Sequence, residues 1–334
     1  MPNIKVLHFG LGPIGAAIVK QVATRPGFKI VGAIDIDPAK VGRDLGDVVG
    51  LPKRIGVKIS GDAAKALKAA KPDVVVLCTS SSVKKVLPQI ETILKAKAAI
   101  VTTTEELSYP GYTHIRPAKQ IHAMAKKAKV GVLGTGVNPG FAMDALPIAL
   151  TAVCEKVERV SVNRVQDARI RRLPFQQKIG AGLTTEQFQK KVDDGSVRHV
   201  GLTESIAMIA DSLGWTLDRI TDDIQPKLAT VTISSEFLAV DPGYVCGIIQ
   251  DGVGFQKGEP VIRLHMEAFL GSPETYDSVE IEGSPKLSMK IAGGIHGDVA
   301  TASIAVNMIP KVLNAPPGLH TMRDLPLPSF FPGR

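Results

Sequence analysis

The sequence predicts an α/β protein with a doubly wound parallel sheet at the N-terminus, followed by an α+β domain with an open, mainly antiparallel sheet. Two observations support this prediction. Between residues 4 and 133, short apolar runs alternate with segments of helical periodicity, as in a parallel sheet covered by helices. From residue 157 onward, apolar and polar residues alternate instead, which is typical of an antiparallel sheet with one covered face. The length of 334 residues fits two domains.

A glycine-rich turn follows the first predicted strand, Ile4–Phe9. A segment with helical spacing comes next, and then a second strand that ends at Asp35. This order of strand, glycine turn, helix, strand and acid is that of a Rossmann dinucleotide-binding unit, in which the glycines let the backbone approach a pyrophosphate. A proline suits the first helical turn, and the free N–H groups there attract an anion. The turn consists of Gly10, Leu11, Gly12, Pro13, Ile14 and Gly15.

Asp35 is the residue that bears on the choice of cofactor. It follows Gly15 by 35 − 15 = 20 positions, the spacing of a carboxylate that binds a ribose 2′-hydroxyl. A carboxylate repels a 2′-phosphate, which favours NAD. Lys40 and Arg43 follow closely, and they either pair with a 2′-phosphate or remain solvated. The sequence therefore predicts NAD(P)H and leaves NAD versus NADP open.

The remaining strands of the first domain end in polar loops. Ligands lie beyond the carboxyl ends of the strands in such sheets, so we expect these loops to line one cleft. They contain Thr79, Ser80 and Ser81, then Thr104, and finally Asn138. The predicted strands of this domain are 57–59, 74–79, 99–104 and 130–133. The predicted helices are 62–70, with Asp62 as the cap, 83–97 and 117–127, and residues 39–49 are predicted to form a short helix or an ordered loop.

The second half of the chain is predicted to change its pattern. The predicted strands are 157–167, 227–240, a hairpin of 245–250 and 261–269 around Asp251-Gly252 and Gly258, and then 278–282 and 287–291. The predicted helices are 141–153, 185–193, 203–213 and 298–313, the last with Asp298 as its N-cap, and the tail from residue 316 lacks periodicity. We expect a nucleotide-binding domain of residues 1–140, completed by residues 298–334, and a second domain of residues 141–297.

Two adjacent acids, Glu105 and Glu106, come directly after a buried strand at the cofactor edge. Adjacent residues of an extended chain point in opposite directions, so we expect one to face the cleft, and we favour Glu105. Near a nicotinamide, a carboxylate stabilises a developing iminium and transfers protons. The alternative is that either acid caps the turn that follows.

Several other residues are candidates for substrate binding, each with a structural alternative. Asn138 either contacts a carboxamide or substrate group or caps an Asn-Pro-Gly turn. His199 either lies in the site or is structural. An arginine pairing with a substrate carboxylate would favour an amino acid, whereas a wholly apolar pocket would favour simple amines. The predicted pocket residues are Asn138, Phe141, Met143, Arg164, Phe175, His199 and Thr203. Arg164 and three further arginines, Arg169, Arg171 and Arg172, either bind a substrate carboxylate or are solvated at the surface.

Bulk composition argues against several classes of protein. The net charge is +8, but the basic residues are dispersed without interleaved aromatics, so we expect no nucleic-acid partner. The three cysteines, Cys78, Cys154 and Cys246, show neither disulfide nor zinc spacing, which predicts a reducing cytoplasm and no metal. No targeting signal precedes the first strand, and no apolar run approaches the ~20 residues that span a bilayer, so we expect no membrane association.

Five stretches of the sequence match the motifs of a known family: the glycine turn 10–15, Thr104-Glu105-Glu106-Leu107-Ser108-Tyr109-Pro110, Gly134-Thr135-Gly136-Val137-Asn138-Pro139-Gly140-Phe141, His199-Val200-Gly201-Leu202 and Gly297-Asp298-Val299-Ala300-Thr301. Together they resemble 2,4-diaminopentanoate dehydrogenase and the native amine dehydrogenases. The resemblance implies a dihydrodipicolinate reductase-like fold, whose second domain also mediates homodimerisation. It also implies NAD(P)-linked oxidative deamination, or the reverse reductive amination of small ketones or aldehydes with ammonia, with Glu105 as the key carboxylate.

Two other functions remain open on the same scaffold. One is a different NAD(P)-dependent imine or carbonyl reductase, which would turn over without ammonia. The other is a non-catalytic nucleotide-binding regulator, against which the adjacent acids Glu105 and Glu106 argue, because a sensor has no need of them.

Overall fold

The computed structural model describes residues 3–333; residues 1, 2 and 334, which the predicted domain ranges include, lie outside it. The described chain forms two compact units. The first unit comprises the residues up to Phe141 together with those from His296 onward, and the second unit comprises Ala142–Ile295.

The first unit contains a seven-stranded sheet in which every neighbouring pair of strands is parallel. This confirms the predicted doubly wound parallel sheet. Its elements are β1 (Ile4–Phe9), α1 (Pro13–Thr24), β2 (Phe28–Ile34), α2 (Leu45–Val49), β3 (Ile59–Ser60), α3 (Ala63–Ala70), β4 (Val74–Leu77), α4 (Val83–Lys95), β5 (Ala99–Thr102), α5 (Ile115–Ala128) and β6 (Gly131–Gly134).

The second unit contains a six-stranded sheet with one parallel pair, β7 with β12, and four antiparallel pairs. This confirms the predicted mainly antiparallel sheet. Its elements are α6 (Ala145–Leu150), β7 (Lys156–Asp167), α7 (Leu173–Lys178), α8 (Thr185–Asp193), α9 (Leu202–Ser212), β8 (Arg219–Leu228), β9 (Ile233–Ser234), β10 (Ala239–Val240), β11 (Val245–Gln256), β12 (Glu259–Phe269), β13 (Tyr276–Ser284) and β14 (Leu287–Ala292).

The chain ends with α10 (Gly297–Leu313) and β15 (Gly318–His320), both in the first unit. The order of the first sheet is β15-β6-β5-β4-β1-β2-β3, and that of the second is β14-β13-β7-β12-β11-β8. Strand β4 is completely buried, as its continuous apolar sequence predicts, because both faces of a central parallel strand are covered. The core on one side of the first sheet includes Leu7, Val75 and Ile100 from the strands and Ile90 and Ile121 from the helices.

Three predictions about strands are wrong. The predicted strand 227–240 is instead the end of β8 and the two short strands β9 and β10. Asp251 and Gly252 lie within β11, and the hairpin turns at Lys257-Gly258, where both residues have positive φ. This is the backbone combination of a tight hairpin turn, which follows the twist of its strands. The tail contributes β15, whose three residues are too few for a periodic pattern.

Two predictions about helix ends are also wrong. The helix expected over 141–153 is reduced to α6 with a 3₁₀ turn at Thr151–Val153. Asp298 is not the N-cap of α10, because His296 occupies that position and Asp298 lies in the first turn. A carboxylate there still interacts favourably with the helix dipole. Within residues 3–333, no helix is both long and apolar enough to cross a membrane.

Candidate active site

The loops that follow β1, β4, β5 and β6 are fastened side by side at the carboxyl edge of the parallel sheet. The backbone N–H of Cys78 donates to the carbonyl of Phe9 at 2.7 Å, and that of Thr135 donates to the carbonyl of Thr102 at 2.9 Å. The hydroxyl of Thr102 donates to the carbonyl of Leu77 at 2.8 Å. The structure therefore brings together the predicted cofactor residues at the strand ends, which are the glycine turn 10–15, Thr79, Ser80, Ser81, Thr104 and Asn138.

The glycine turn is shaped by close backbone approach at two of its glycines and by open space at the third. Gly10 has φ +92°, and a Cβ there would lie 2.5 Å from the carbonyl oxygen of Cys78. A Cβ on Gly15 would collide with the carbonyl oxygen of Gly10. A Cβ on Gly12 would meet no atom within 4 Å, although Gly12 is the N-cap of α1 and Pro13 and Ile14 follow it in the first turn. The open space beside this helix N-terminus fits a pyrophosphate.

Asp35 is buried at the end of β2, and its carboxylate faces the glycine turn. It accepts hydrogen bonds from the N–H of Leu11 at 2.8 Å and the N–H of Asp37 at 2.9 Å. Burial acts to raise the pKa of Asp35, but these two hydrogen bonds and the neighbouring Lys40 outweigh burial, so the pKa lies below its ordinary value. Asp35 is therefore ionised at neutral pH.

Lys40 is held between two carboxylates. Its Nζ lies 3.3 Å from Asp35 and 3.5 Å from Asp37. Arg43 is exposed, and its guanidinium donates to the carbonyl of Ala39 at 3.4 Å.

Glu105 opens a 3₁₀ turn, Glu105–Leu107, directly after β5 and the buried Thr104. The sequence analysis treats Glu105 and Glu106 as part of an extended chain, but the segment is helical. In a 3₁₀ turn with three residues per turn, neighbouring side chains are about 120° apart, so Glu105 and Glu106 still point in different directions. Glu105 is half-buried, and Leu107 anchors the turn in the core with no exposed surface.

The carboxylate of Glu106 contacts a different part of the same unit. It accepts a hydrogen bond from the N–H of Val83, the first residue of α4, at 2.7 Å. The same oxygen lies 3.3 Å from Nε2 of His114. Glu106 therefore caps a helix. The sequence alternative was that one of the two acids caps the turn after it, but Glu106 instead caps α4, which precedes it in the chain.

The substrate-binding candidates lie partly in each unit. In the first unit, Phe141 and Asn138 are half-buried. In the second, Met143 is completely buried and Phe175 is half-buried, with the Arg171 guanidinium 4.0 Å from the centre of its ring. The hydroxyl of Thr203 donates to Glu204 at 2.8 Å.

Arg164 is a buried residue with two strong partners in the second unit. It is 3% exposed, and its guanidinium donates to Asp277 at 2.5 Å and to the carbonyl of Ile295 at 2.9 Å. The sequence alternative that Arg164 is solvated is wrong, because β7 and β13 pair so that Arg164 and Asp277 lie opposite each other.

His199 lies among four cations of the second unit. Its backbone is held by the buried side chain of Gln250, which accepts from the N–H at 2.9 Å and donates to the carbonyl at 3.1 Å. Burial lowers the pKa of His199 well below 6.5, and the nearby cations lower it further. Among the described residues, no hydrogen-bond partner reaches its buried Nε2. The cations are Lys178, Arg164, Arg198 and Arg171.

Sequence reasoning did not identify Gln250 or Asp222 in this cluster. Gln250 also donates to Asp222 at 2.8 Å, and Asp222 pairs with Arg198 at 3.2 Å. Gln250 lies in the middle of the long strand β11 and is completely buried. A glutamine on the covered face of a strand is the signal in the sequence that could have identified it. A buried, neutral imidazole among several cations favours the binding of an anion.

Known proteins resemble the chain over its whole length. Residues 141–333 match the family model of the 2,4-diaminopentanoate dehydrogenase C-terminal domain, and residues 4–133 match that of the dihydrodipicolinate reductase N-terminus. The chain is 35% identical to 2,4-diaminopentanoate dehydrogenase of Acetoanaerobium sticklandii, covering 100% of this chain and 96% of that protein. It is 25% identical to an amine dehydrogenase of Streptomyces virginiae, covering 97% and 96% of the two chains.

A solved structure agrees with these matches. The amine dehydrogenase from Mycobacterium smegmatis superposes with a TM-score of 0.89 at 26% identity, over 99% of this chain and 98% of that chain. The similarity therefore extends through both units of the fold.

Proposed function

The chain belongs to the 2,4-diaminopentanoate dehydrogenase family, and from this membership we propose that it is an NAD(P)-dependent amine dehydrogenase whose reaction depends on the carboxylate of Glu105. The observation that carries the proposal is the position of Glu105. It opens the 3₁₀ turn that follows β5, on the same sheet edge as the glycine turn.

The first unit has the features that a dinucleotide needs. The N–H groups at the start of α1 and the open space beside Gly12 accept the pyrophosphate. The Asp35 carboxylate has about four acceptor positions and three nearby donors, so it retains capacity for a ribose hydroxyl. When bound, the nicotinamide accepts or donates the hydride.

Glu105 is proposed to handle the protons and the charge of the substrate. In oxidative deamination, its carboxylate accepts a proton from the substrate ammonium, because only the neutral amine releases a hydride from its carbon. Glu105 passes this proton to solvent water, and the carboxylate, ionised again, stabilises the iminium that forms when the hydride leaves. It then accepts a proton from the water that adds to the iminium carbon and donates it to the nitrogen, so that ammonia leaves. Reductive amination follows these steps in reverse.

The test is a cofactor-oxidation assay with small ketones, with and without ammonia, on wild type and Glu105→Ala. We expect ammonia-dependent turnover in wild type and a loss in Glu105→Ala of about 100-fold or more, the typical contribution of a positioned acid or base. Cofactor binding, followed by NADH fluorescence, should be unchanged in the variant. Full turnover in Glu105→Ala would remove the residue from the mechanism, and turnover without ammonia would indicate a carbonyl reductase.

For the cofactor, we propose a preference for NAD over NADP. A 2′-phosphate carries a charge of about −1.5 to −2 at neutral pH, and the ionised Asp35 repels it. Lys40 offers little compensation, because Asp35 and Asp37 already pair with it. We expect a lower KM for NAD than for NADP in wild type and a reduced difference in Asp35→Ser. A lower KM for NADP in wild type would contradict this proposal.

For the substrate, we propose an amine that also carries a carboxylate, as 2,4-diaminopentanoate does. Support comes from the second unit, where four cations surround the neutral His199. We assign the carboxylate to Arg171 and His199, because the Arg171 guanidinium stacks on Phe175, another predicted pocket residue. We expect kcat/KM for 2,4-diaminopentanoate to exceed that for 2-aminopentane, and Arg171→Met to remove this difference. Equal kcat/KM values in wild type would favour a simple amine.

We also propose that the protein acts as a homodimer through the sheet face opposite α9. Gly252 and Gly254 face Leu202 and Ile206 of α9, so the alternate residues of β11 and β12 point to the other face. There His265 lies between Asp251 and Glu267, at 2.9 and 3.1 Å, and all three are only partly exposed. Light scattering should give a mass near twice 35.4 kDa. A cytoplasmic location remains a prediction from the sequence.

A further inference from the structure

The Glu106 carboxylate is placed where it joins three segments of the first unit. One oxygen serves both the N–H of Val83, at the start of α4, and Nε2 of His114, which precedes α5. The backbone N–H of Glu106 donates to the carbonyl of Ser81 at 3.1 Å. The 3₁₀ turn is thereby fastened to the loop after β4 by a side chain and by the backbone.

Helix α4 depends on this contact for its N-terminus. Its own N-cap residue, Ser82, makes no side-chain hydrogen bond to the helix. The first N–H groups of a helix lack partners within the helix, and a negative charge beside them is favoured by the dipole. Glu106 supplies both an acceptor and a charge from a position 23 residues further along the chain.

The rest of the 3₁₀ turn is held on its other side. Leu107 is completely buried, and its carbonyl oxygen lies so close to Gly134 of β6 that a Cβ there would collide with it. The N–H of Leu107 donates to the carbonyl of Thr104 at 2.9 Å. Between Glu106 on one side and Leu107 on the other, the backbone of Glu105 has little freedom to move.

We propose that Glu106 is a positioning residue that fixes the Glu105 carboxylate by tying its turn to the N-terminus of α4 and to His114. The inference rests on the proposed role of Glu105. Releasing this tie lets the turn shift relative to the strand-end loops, and a displacement of about 1 Å at a reacting group can lower turnover by up to about 100-fold.

The variants separate positioning from general stability. Glu106→Ala removes the tie, whereas Glu106→Gln keeps an oxygen that accepts from the N–H of Val83. Glu91→Ala is the matched control, because Glu91 joins α4 to α5 through Gln120 at 2.8 Å without contacting the turn. We expect kcat to fall about 10- to 100-fold in Glu106→Ala with the KM for the cofactor unchanged, most of kcat to return in Glu106→Gln, and kcat to stay at the wild-type value in Glu91→Ala.

A second readout does not depend on turnover. Hydrogen exchange at the N–H of Val83 and across Glu105–Ser108 should be faster in Glu106→Ala than in wild type and in Glu91→Ala. Wild-type kcat in Glu106→Ala, or an equal loss of kcat in Glu91→Ala, would overturn the proposal. If wild type turns over no amine, the proposed function fails, and hydrogen exchange alone tests the tie made by Glu106. Unchanged protection in Glu106→Ala would then overturn the tie, and faster exchange would support it.

Discussion

The two units hold their candidate residues by different means. In the first unit, backbone hydrogen bonds between strand-end loops and glycines without room for a Cβ set the geometry. In the second unit, buried polar side chains do so, with Arg164 bound to Asp277 and Gln250 bound to the backbone of His199. A backbone framework tolerates many changes of side chain, whereas a buried charged network is sensitive to the loss of one partner.

This contrast separates chemistry from stability. Glu105 is half-buried on a turn whose shape is fixed by its neighbours, so its replacement should change the reaction and leave the fold intact. Arg164 combines a position in the predicted pocket with a role in the packing of the second unit, so its replacement should change both.

The largest effect on stability is expected from Asp277→Ala. The substitution leaves the buried Arg164 without its counter-ion and the N–H of Ile295 without its acceptor, which lies at 2.7 Å. Breaking a buried ion pair typically lowers the free energy of unfolding by about 3–5 kcal/mol. Urea unfolding measures the loss, and Glu158→Gln, which breaks an exposed pair with Lys156, should have little effect. Equal stabilities of the two variants would contradict the contrast between the units.

A pH-dependent effect is expected from His8, the exception in the first unit. His8 lies in the inner strand β1, is 1% exposed, and has no hydrogen-bond partner for its ring among the described residues. Burial lowers the pKa of His8 from 6.5 to about 3. Between these values the unfolded chain binds a proton that the folded chain does not, so stability falls as the pH falls from 6.5 toward 3.

The expected loss from His8 alone is about 2 kcal/mol at pH 5 relative to pH 7.5, from 1.36 kcal/mol for each unit of pKa difference. His8→Leu should remove this part of the pH dependence, while His320→Gln, at a partly exposed position, should retain it. Urea unfolding at both pH values measures the difference. An unchanged pH dependence in His8→Leu would show that other groups cause the acid sensitivity.

Much of the first unit could be predicted from the sequence, because its signals are local. The run Val74–Leu77 and the glycine turn each specify their own structure, and the position of Glu105 follows from the end of a strand. The tie from Glu106 to Val83 could not be predicted in the same way. It joins residues 23 positions apart, and neither residue type indicates the other.

The second unit was less predictable for a physical reason. Strand β8, Arg219–Leu228, contains a proline and four charged residues, so its apolar face is sparse and the sequence pattern does not predict most of it. Arg164 and Asp277 are 113 residues apart, and only the register of β7 with β13 brings them together. Long-range pairing of polar residues leaves no periodic pattern in a single sequence.

The smallest effects on stability are expected from helix N-caps, which are local contacts of the same kind in both units. Asp62 caps α3 by accepting from the N–H of Lys65 at 3.0 Å, and Thr184 caps α8 by accepting from the N–H of Gln187 at 3.2 Å. Because each contact satisfies one helix N–H at the surface, Asp62→Ala and Thr184→Ala should each cost about 1 kcal/mol in urea unfolding. Similar losses of stability in the two variants would show that the units differ in their buried polar network and not in their helix caps. A loss in Thr184→Ala that matches Asp277→Ala would instead show that the whole second unit is only marginally stable.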